Sequence, residues 1–191
     1  MNPGARNEAI QIAQKWIAKR PVYIDTETTG TDLNAGIVEI AVIDFDGGVL
    51  IDSLVKPVGT IPADATAIHG ITNEMVKDAP RWDKVWQEVE AAISNRAVGI
   101  YNADFDLRLM RQSHQKNWMR WYDPEGTEFF CIMKLYAQFF GVWNNQRGGY
   151  RWQSLDAAGR QCNILLPNSH RAKDDTLLTL ALLEFMAKQT I

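Results

Sequence analysis

Only two of the 191 residues are cysteine, Cys131 and Cys162. Two thiols so far apart cannot make a disulfide framework, nor a zinc knuckle, whose ligands come in closely spaced pairs. They read as reduced, mostly buried side chains, the usage of a cytoplasmic protein. Long apolar runs are missing as well. The most apolar stretch, Leu177 to Met186, is interrupted by Thr179 and Glu184 and falls well short of the ~20 residues that a membrane-spanning helix needs. The opening octet, Met1 to Glu8, lacks the apolar centre of a secretion signal. No repeat, low-complexity tract or linker interrupts the chain, and 46% hydrophobic with 23% charged residues is ordinary for one globular domain with a single core. A membrane protein, a disulfide-stapled secreted domain and a zinc-held module are therefore not expected.

An excess of positive charge is also absent. The net charge is −3, which on its face argues against a polyanionic ligand. The distribution reverses that reading. Residues 108–173 hold ten Lys and Arg against four Asp and Glu, a local +6 that leaves −9 for the remainder. The same segment carries Trp118, Trp121, Tyr122, Phe129, Phe130, Tyr136, Phe139, Phe140, Trp143, Tyr150 and Trp152. Cations interleaved with aromatic rings suit a groove that follows phosphates and stacks bases. The competing reading places most of the rings in the core and most of the charges on a solvated face.

Periodicity supplies the elements. Ala9 to Lys19 repeats apolar residues at helical spacing and is broken by Pro21. Val22 to Asp25 is a short apolar run that ends at a polar Thr-Glu-Thr-Thr-Gly, so a strand feeding a loop. Ile37 to Phe45 and Val49 to Val55 are rich in β-branched residues and flank the turn signal Asp46-Gly47-Gly48. Ile61 to Val76 is irregular to helical. Asp83 to Ser94 is an amphipathic helix with Asp83 as its expected N-cap. Ala97 to Tyr101 is a short buried strand, and a helix runs from Asp104 or Phe105 to Lys116. Thr127 to Ile132 is a strand and Met133 to Phe140 a helix. Trp143 to Tyr150 is a loop, Ser154 caps a helix ending near Gly159, and His170 to Gln189 is a strongly apolar closing helix. Three antiparallel strands followed by strand–helix alternation predict an α/β fold: a mixed five-stranded sheet, with the last two strands parallel and helices on both faces.

Three segments could carry chemistry. In Asp25-Thr26-Glu27 the acids lie two apart on a strand and so share a face, where both carboxylates can meet one hard cation. Taken alone such a pair is weak. The apolar lead-in Val22-Tyr23-Ile24 and the exit Thr28-Thr29-Gly30 strengthen it, because they put the acids at a strand's carboxyl end beside a backbone that a ligand can approach. Asp44-x-Asp46 is the internal control, a similar pair that leads into a hairpin and reads as turn chemistry. In Tyr101-Asn102-Ala103-Asp104-Phe105-Asp106 a strand gives way to a helix. Either acid there could be a cap or a metal ligand, and the residues themselves do not choose between Asp104 and Asp106. In His170-Arg171-Ala172-Lys173-Asp174-Asp175 a histidine ahead of a helix can reach over its first turn and act as a general base near an acid cluster. Several acids around one small volume repel one another unless cations neutralise them, which is the composition of a two-metal phosphoryl-transfer site.

The string Asp-Thr-Glu-Thr-Thr-Gly at 25–30, the string Asn-Ala-Asp-Phe-Asp at 102–106 and the His170…Asp175 spacing resemble the three motifs of the DEDDh family of 3′→5′ exonucleases, which includes the proofreading subunit of bacterial DNA polymerase III. Ala67 to Thr72 and Ser154-Leu155-Asp156 are similar to it too, so the resemblance spans Val22 to Met186. It implies a ribonuclease H-like fold, with residues 21–191 as the exonuclease domain and residues 1–20 as a helical extension. It implies two divalent ions, Mg²⁺ or Mn²⁺, held by Asp25, Glu27, Asp106 and Asp175, which selects Asp106 over Asp104. His170 is then the base, and Thr28, Thr29, Gly30, His69, Asn102 and Phe105 contact the terminal nucleotide. Where relatives carry Leu directly after the motif glycine this chain has Thr31, with Leu33 two residues on, and Asp174 is an extra acid beside Asp175.

The expected reaction is hydrolysis at the 3′ end of a nucleic-acid strand, most simply single-stranded DNA. An exoribonuclease and a non-catalytic nucleic-acid-binding module on the same fold are the alternatives. A polymerase partner is compatible with the resemblance, but the chain stops five residues after Met186, so a standalone enzyme is expected.

Overall fold

The computed structural model describes residues 3–190; residues 1, 2 and 191 of the segments assigned above lie outside the described residues. A single sheet organises the molecule. Strands β1 (Val22–Thr28), β2 (Ile37–Ile43), β3 (Val49–Leu54), β4 (Ala97–Ile100) and β5 (Glu128–Cys131) lie in the order β3-β2-β1-β4-β5. β1, β2 and β3 pair antiparallel, and β4 and β5 run parallel to β1. This is the expected topology.

β1 is the central strand, and its alternation divides the core. Val22 and Ile24 face one cluster with Val85, Trp86, Leu109 and Met110. Those come from helices α4 (Trp82–Ile93) and α5 (Ala103–Lys116). Tyr23 faces the opposite cluster with Ala9, Ile10, Tyr136, Leu182 and Leu183. Those come from α1 (Pro3–Ala18), α6 (Ile132–Phe140) and α8 (Ala172–Ala187). A strand covered on both sides needs this near-continuous apolar run. Between β3 and α4 lie α2 (Ala63–His69) and α3 (Asn73–Val76), which close a smaller cluster around Val38, Ile61 and Ile71.

α1 starts at Pro3, six residues before the apolar periodicity does, because first-turn N–H groups need no helical partner and proline is tolerated there. It packs on α6 and α8, with Trp16 stacked 4.0 Å from Phe130.

Four expectations need correction. β1 does not stop at Asp25 but continues to Thr28, since β2 goes on pairing with it. α4 begins one residue earlier than read. Arg81 occupies its N-cap and Asp83 sits in the first turn, where its charge suits the helix dipole instead of a capping bond. Residues 143–150 are not an open loop. They form a small hairpin, β6 (Trp143–Asn144) against β7 (Gly149–Tyr150), with Trp143 edge-on to Tyr150 at 5.2 Å. His170 lies ahead of α8, not in it. Ser154 does cap α7 (Leu155–Gln161), its hydroxyl accepting the Ala157 N–H at 3.2 Å.

Candidate active site

The site forms where β1 outruns its neighbour. Its pairing with β4 covers Val22 to Ile24 only, whereas its pairing with β2 continues to Thr28. From Asp25 onward the β4 side of the strand is therefore open. The crevice lies past the carboxyl end of β4, beside the turn into α5, where ligands commonly bind in open sheets with parallel strands. A cavity of about 580 Å³ occupies it, lined by Asp25, Thr26, Glu27, Tyr101, Asn102, Phe105, Asp106, Ser154, Leu155, Asp156, Asn168, His170 and Asp175.

Three elements bring four acids to this cleft. Asp25 and Glu27 share one face of β1. Asp175, in the first turn of α8, approaches that face, and carboxylate oxygens of the three lie within 4.8 Å of one another. Asp106 comes from the first turn of α5 and is buried, with Oδ1 accepting the Thr26 hydroxyl at 2.8 Å. The two acids of that turn are placed differently. Asp106 points into the cleft, while Asp104 is on the surface, accepting from Lys134 Nζ at 2.6 Å.

Burial shows in the ionisation of all four, and mutual repulsion in that of Asp25 and Glu27. Desolvation, then the charges of Asp106 and Glu27, hold the Asp25 carboxyl well above its ordinary range. Desolvation, then Asp175 and Glu39, push Glu27 up to about 8. Desolvation raises Asp106 to about 7 against the lowering effect of the Thr26 hydroxyl. Asp175 rises to about 6, again by desolvation, with His170 and the Ser169 N–H pulling the other way. A cluster of hard oxygen donors so short of positive charge is suited to divalent cations such as Mg²⁺ or Mn²⁺.

His170 stands on the rim, exposed, with a left-handed φ of 53°, a conformation that histidine adopts more readily than most residues. Its position depends on residues that the sequence reading did not single out. Glu39 lies opposite Glu27 across the β1–β2 ladder. It is 2% exposed and takes the Arg171 guanidinium at 2.5 Å and the Ala172 N–H at 2.8 Å. Glu39 thus pins the start of α8 to the sheet, one residue from His170 and three from Asp175. The neighbouring Ser169 N–H donates to Asp175 at 3.1 Å, and the Ser169 hydroxyl donates to Asp174 at 2.6 Å. The extra acid is consumed in fastening this loop. The available signal was a charge inside the apolar run Ile37-Val38-Glu39-Ile40-Ala41-Val42-Ile43, which a buried strand admits only when it has a partner.

A second depression of about 390 Å³ adjoins the cleft through Thr26, Glu27 and Phe105, and Thr28, Gly30, Thr31 and His69 line it further. His69 is buried, and its ring is occupied within the protein. Nδ1 accepts the Ile71 N–H at 3.0 Å, which leaves the other nitrogen to donate to the Thr28 carbonyl at 3.2 Å. Desolvation lowers its pKa. Thr29 turns to Gly36, its hydroxyl accepting that N–H at 3.0 Å. Leu33 is 80% exposed on the same loop.

Residues 22–183 match the model of the RNase_T family, described as Exonuclease. An "Uncharacterized exonuclease CP81" from Escherichia phage 186 is 40% identical over 185 residues, covering 93% of each chain. A "DNA polymerase III subunit epsilon-like protein" from Rhodobacter capsulatus is 32% identical over 167 residues, which is 83% of this chain but 22% of that longer protein. A solved structure of Exonuclease X in complex with 5′ overhanging duplex DNA has a TM-score of 0.63 at 32% identity, covering 86% of this chain and 90% of that one.

Proposed function

The chain belongs to the RNase_T exonuclease family, and from that premise we propose that it removes nucleotides from the 3′ end of a single nucleic-acid strand by two-metal hydrolysis. It is an exonuclease of the ribonuclease H-like, DnaQ-like fold. The observation that carries the finer reading is the convergence of Asp25, Glu27 and Asp175 within 4.8 Å, with Asp106 lining the same cleft. Asp25, Glu27 and Asp175 would hold the first cation, and Asp25 and Asp106 the second. Bound Mg²⁺ or Mn²⁺ would acidify the attacking water and neutralise charge on the departing oxygen.

The chain's own residues do the rest. His170, exposed on the rim, accepts the proton of the attacking water. Glu39 and Arg171 hold the start of α8, and so keep His170 and Asp175 in register with β1. Phe105 and Asn102, at the turn into α5, line the pocket of the terminal nucleotide. Thr28, Gly30 and His69 approach it from the adjoining depression, and Thr29 ties the end of β1 to Gly36. Hydrolysis yields a nucleoside 5′-monophosphate and a strand one nucleotide shorter.

End-labelled DNA and RNA oligonucleotides, single- and double-stranded, incubated with Mn²⁺ and resolved on a gel, test this. A ladder of 5′-labelled products shortening from the 3′ end is expected, fastest on single strands. Internal cleavage, or shortening from the 5′ end, would overturn the proposal, and the DNA and RNA arms decide the sugar preference.

A further inference from the structure

The hairpin β6–β7 plays no part in the chemistry above, and its charge is of one sign. From Gly141 to Leu155 there is no Asp or Glu, and Arg147 and Arg151 are the charges present. Both are exposed, and among the described residues neither has an ion-pair partner. Trp143 and Trp152 flank them, each 53% exposed. The Arg147 guanidinium sits 5.8 Å from the Trp152 ring centroid, so a cation and an aromatic face are presented together.

Local hydrogen bonds hold this surface. The Asn144 side chain accepts the Gln146 and Arg147 N–H groups at 3.0 and 3.2 Å and shapes the turn. The Arg151 N–H donates to the Val142 carbonyl at 2.7 Å. Its root is continuous with the cleft. Tyr101, which lines the cavity, donates its hydroxyl to the Gln153 carbonyl at 3.0 Å. Ser154 and Asp156, two and four residues after Trp152, line the cavity themselves. A strand whose 3′ end enters the cleft must leave over a neighbouring rim, and unpaired guanidinium groups beside accessible indole rings match its phosphates and bases.

We propose that this hairpin is a docking surface for single-stranded nucleic acid on the 5′ side of the bond to be cut, with Trp143 and Trp152 stacking bases and Arg147 and Arg151 holding phosphates. The proposal rests on the exonuclease reading for the direction of the strand, but the binding itself does not require catalysis.

The test is fluorescence anisotropy of labelled dT2, dT12 and rU12 in EDTA, over a range of salt, with wild type, R147Q/R151Q and W143A/W152A. The arginine pair keeps the hairpin's aromatic packing, so it serves even if the tryptophan variant loses its fold. The tryptophan variant is expected to bind dT12 roughly five- to a hundredfold more weakly, the worth of about one stacked base. The arginine variant is expected to lower the slope of log K against log salt by about 1.4, the release of two counterions. The dinucleotide, too short to reach the hairpin from the cleft, should lose little in either variant. Equal loss for DNA and RNA means recognition of rings and phosphates, and loss confined to one of them narrows the ligand to that sugar. Unchanged dT12 and rU12 affinity and salt slope in both variants would overturn the proposal, as would a wild type that binds neither. If wild type binds through the hairpin yet releases no mononucleotide with Mn²⁺, the exonuclease reading falls and the docking surface stands.

Discussion

Two acidic pairs of the same spacing, one within β1 and one just after β2, have opposite fates. Asp44 and Asp46 follow β2 into the hairpin. The Asp46 carboxylate accepts the Gly48 N–H at 2.9 Å, and Asp44 accepts the Phe45 N–H at 2.8 Å and the Arg96 guanidinium at 2.5 Å. Partial burial pulls Asp44 upward, but those donors more than offset it and its pKa lies below the ordinary value. Asp25 and Glu27 lie in the last half of β1 with no such side-chain donors among the described residues, facing Asp106 and Asp175, and both are pushed upward. The spacing is shared, so it cannot be the signal. A pair that satisfies itself with local N–H groups and an arginine is a turn. A pair that the fold surrounds with further acids is a place for cations.

The contrast can be broken by substitution, and the largest effect should be at Asp25. Asp25→Ala is expected to cut Mn²⁺-dependent mononucleotide release by about 10³ or more, because it removes charge stabilisation that no other group replaces. Asp44→Ala should stay within about twofold in the same assay. Equal losses would mean the two pairs do not differ as described. His170→Ala should slow release by about 10², the worth of a positioned base.

Next come the two arginines. Arg171→Ala leaves Glu39 buried with the Ala172 N–H as its remaining donor. Since Arg171 is itself 42% exposed, the loss should be about 2 kcal/mol, less than breaking a fully buried pair. Arg96→Ala should cost about 0.5 kcal/mol, since Asp44 can turn to water. Urea melts of the two variants measure the difference.

A last effect is a shift in melting temperature with pH. Glu27, Asp106 and Asp175 are raised in the fold to about 8, 7 and 6. Raised carboxyls favour the folded state while they are protonated. Their contribution is complete below the unfolded values near 4 and is lost as pH climbs through 6 to 8. Asp44, lowered, works in the other sense, and its contribution is lost only as the solution becomes acid. Melting temperature in EDTA should therefore fall by a few degrees between pH 5 and 8.5, Glu27→Gln should flatten the fall, and Mn²⁺ should stabilise more at pH 8 than at pH 5.5. A melting temperature that rises across that range would contradict the assignment of the cluster.

Much of this was legible in the sequence, for physical reasons that differ by region. The five strands and their pairing sense follow from an apolar run, a turn signal and strand–helix alternation. The convergence of residues 25, 27, 106 and 175 followed from motif resemblance, since no local rule places α8 against β1. What stayed hidden depended on tertiary partners. Glu39 looked like an interruption in a strand until Arg171, 132 positions away, supplied its counter-charge. Nothing local told Asp104 from Asp106; Lys134 draws one outward and Thr26 holds the other in. Of the basic–aromatic segment, Phe130, Tyr136 and Phe139 went to the core and Trp118, Trp143 and Trp152 to the surface. That division is set by the element each ring sits on, β5 in the sheet and α6 against it or the hairpin and the turn after α5 outside it, and composition does not record it.

The central claim is that these four carboxylates exist to hold cations. Titration calorimetry of the pure protein with Mn²⁺ at pH 8, nucleoside 5′-monophosphate present, examines it without relying on turnover. Saturable uptake is predicted for wild type and for the Asp44→Ala variant, and its loss in the Asp25→Ala variant. No heat of binding in the wild type, or undiminished uptake without Asp25, would contradict it.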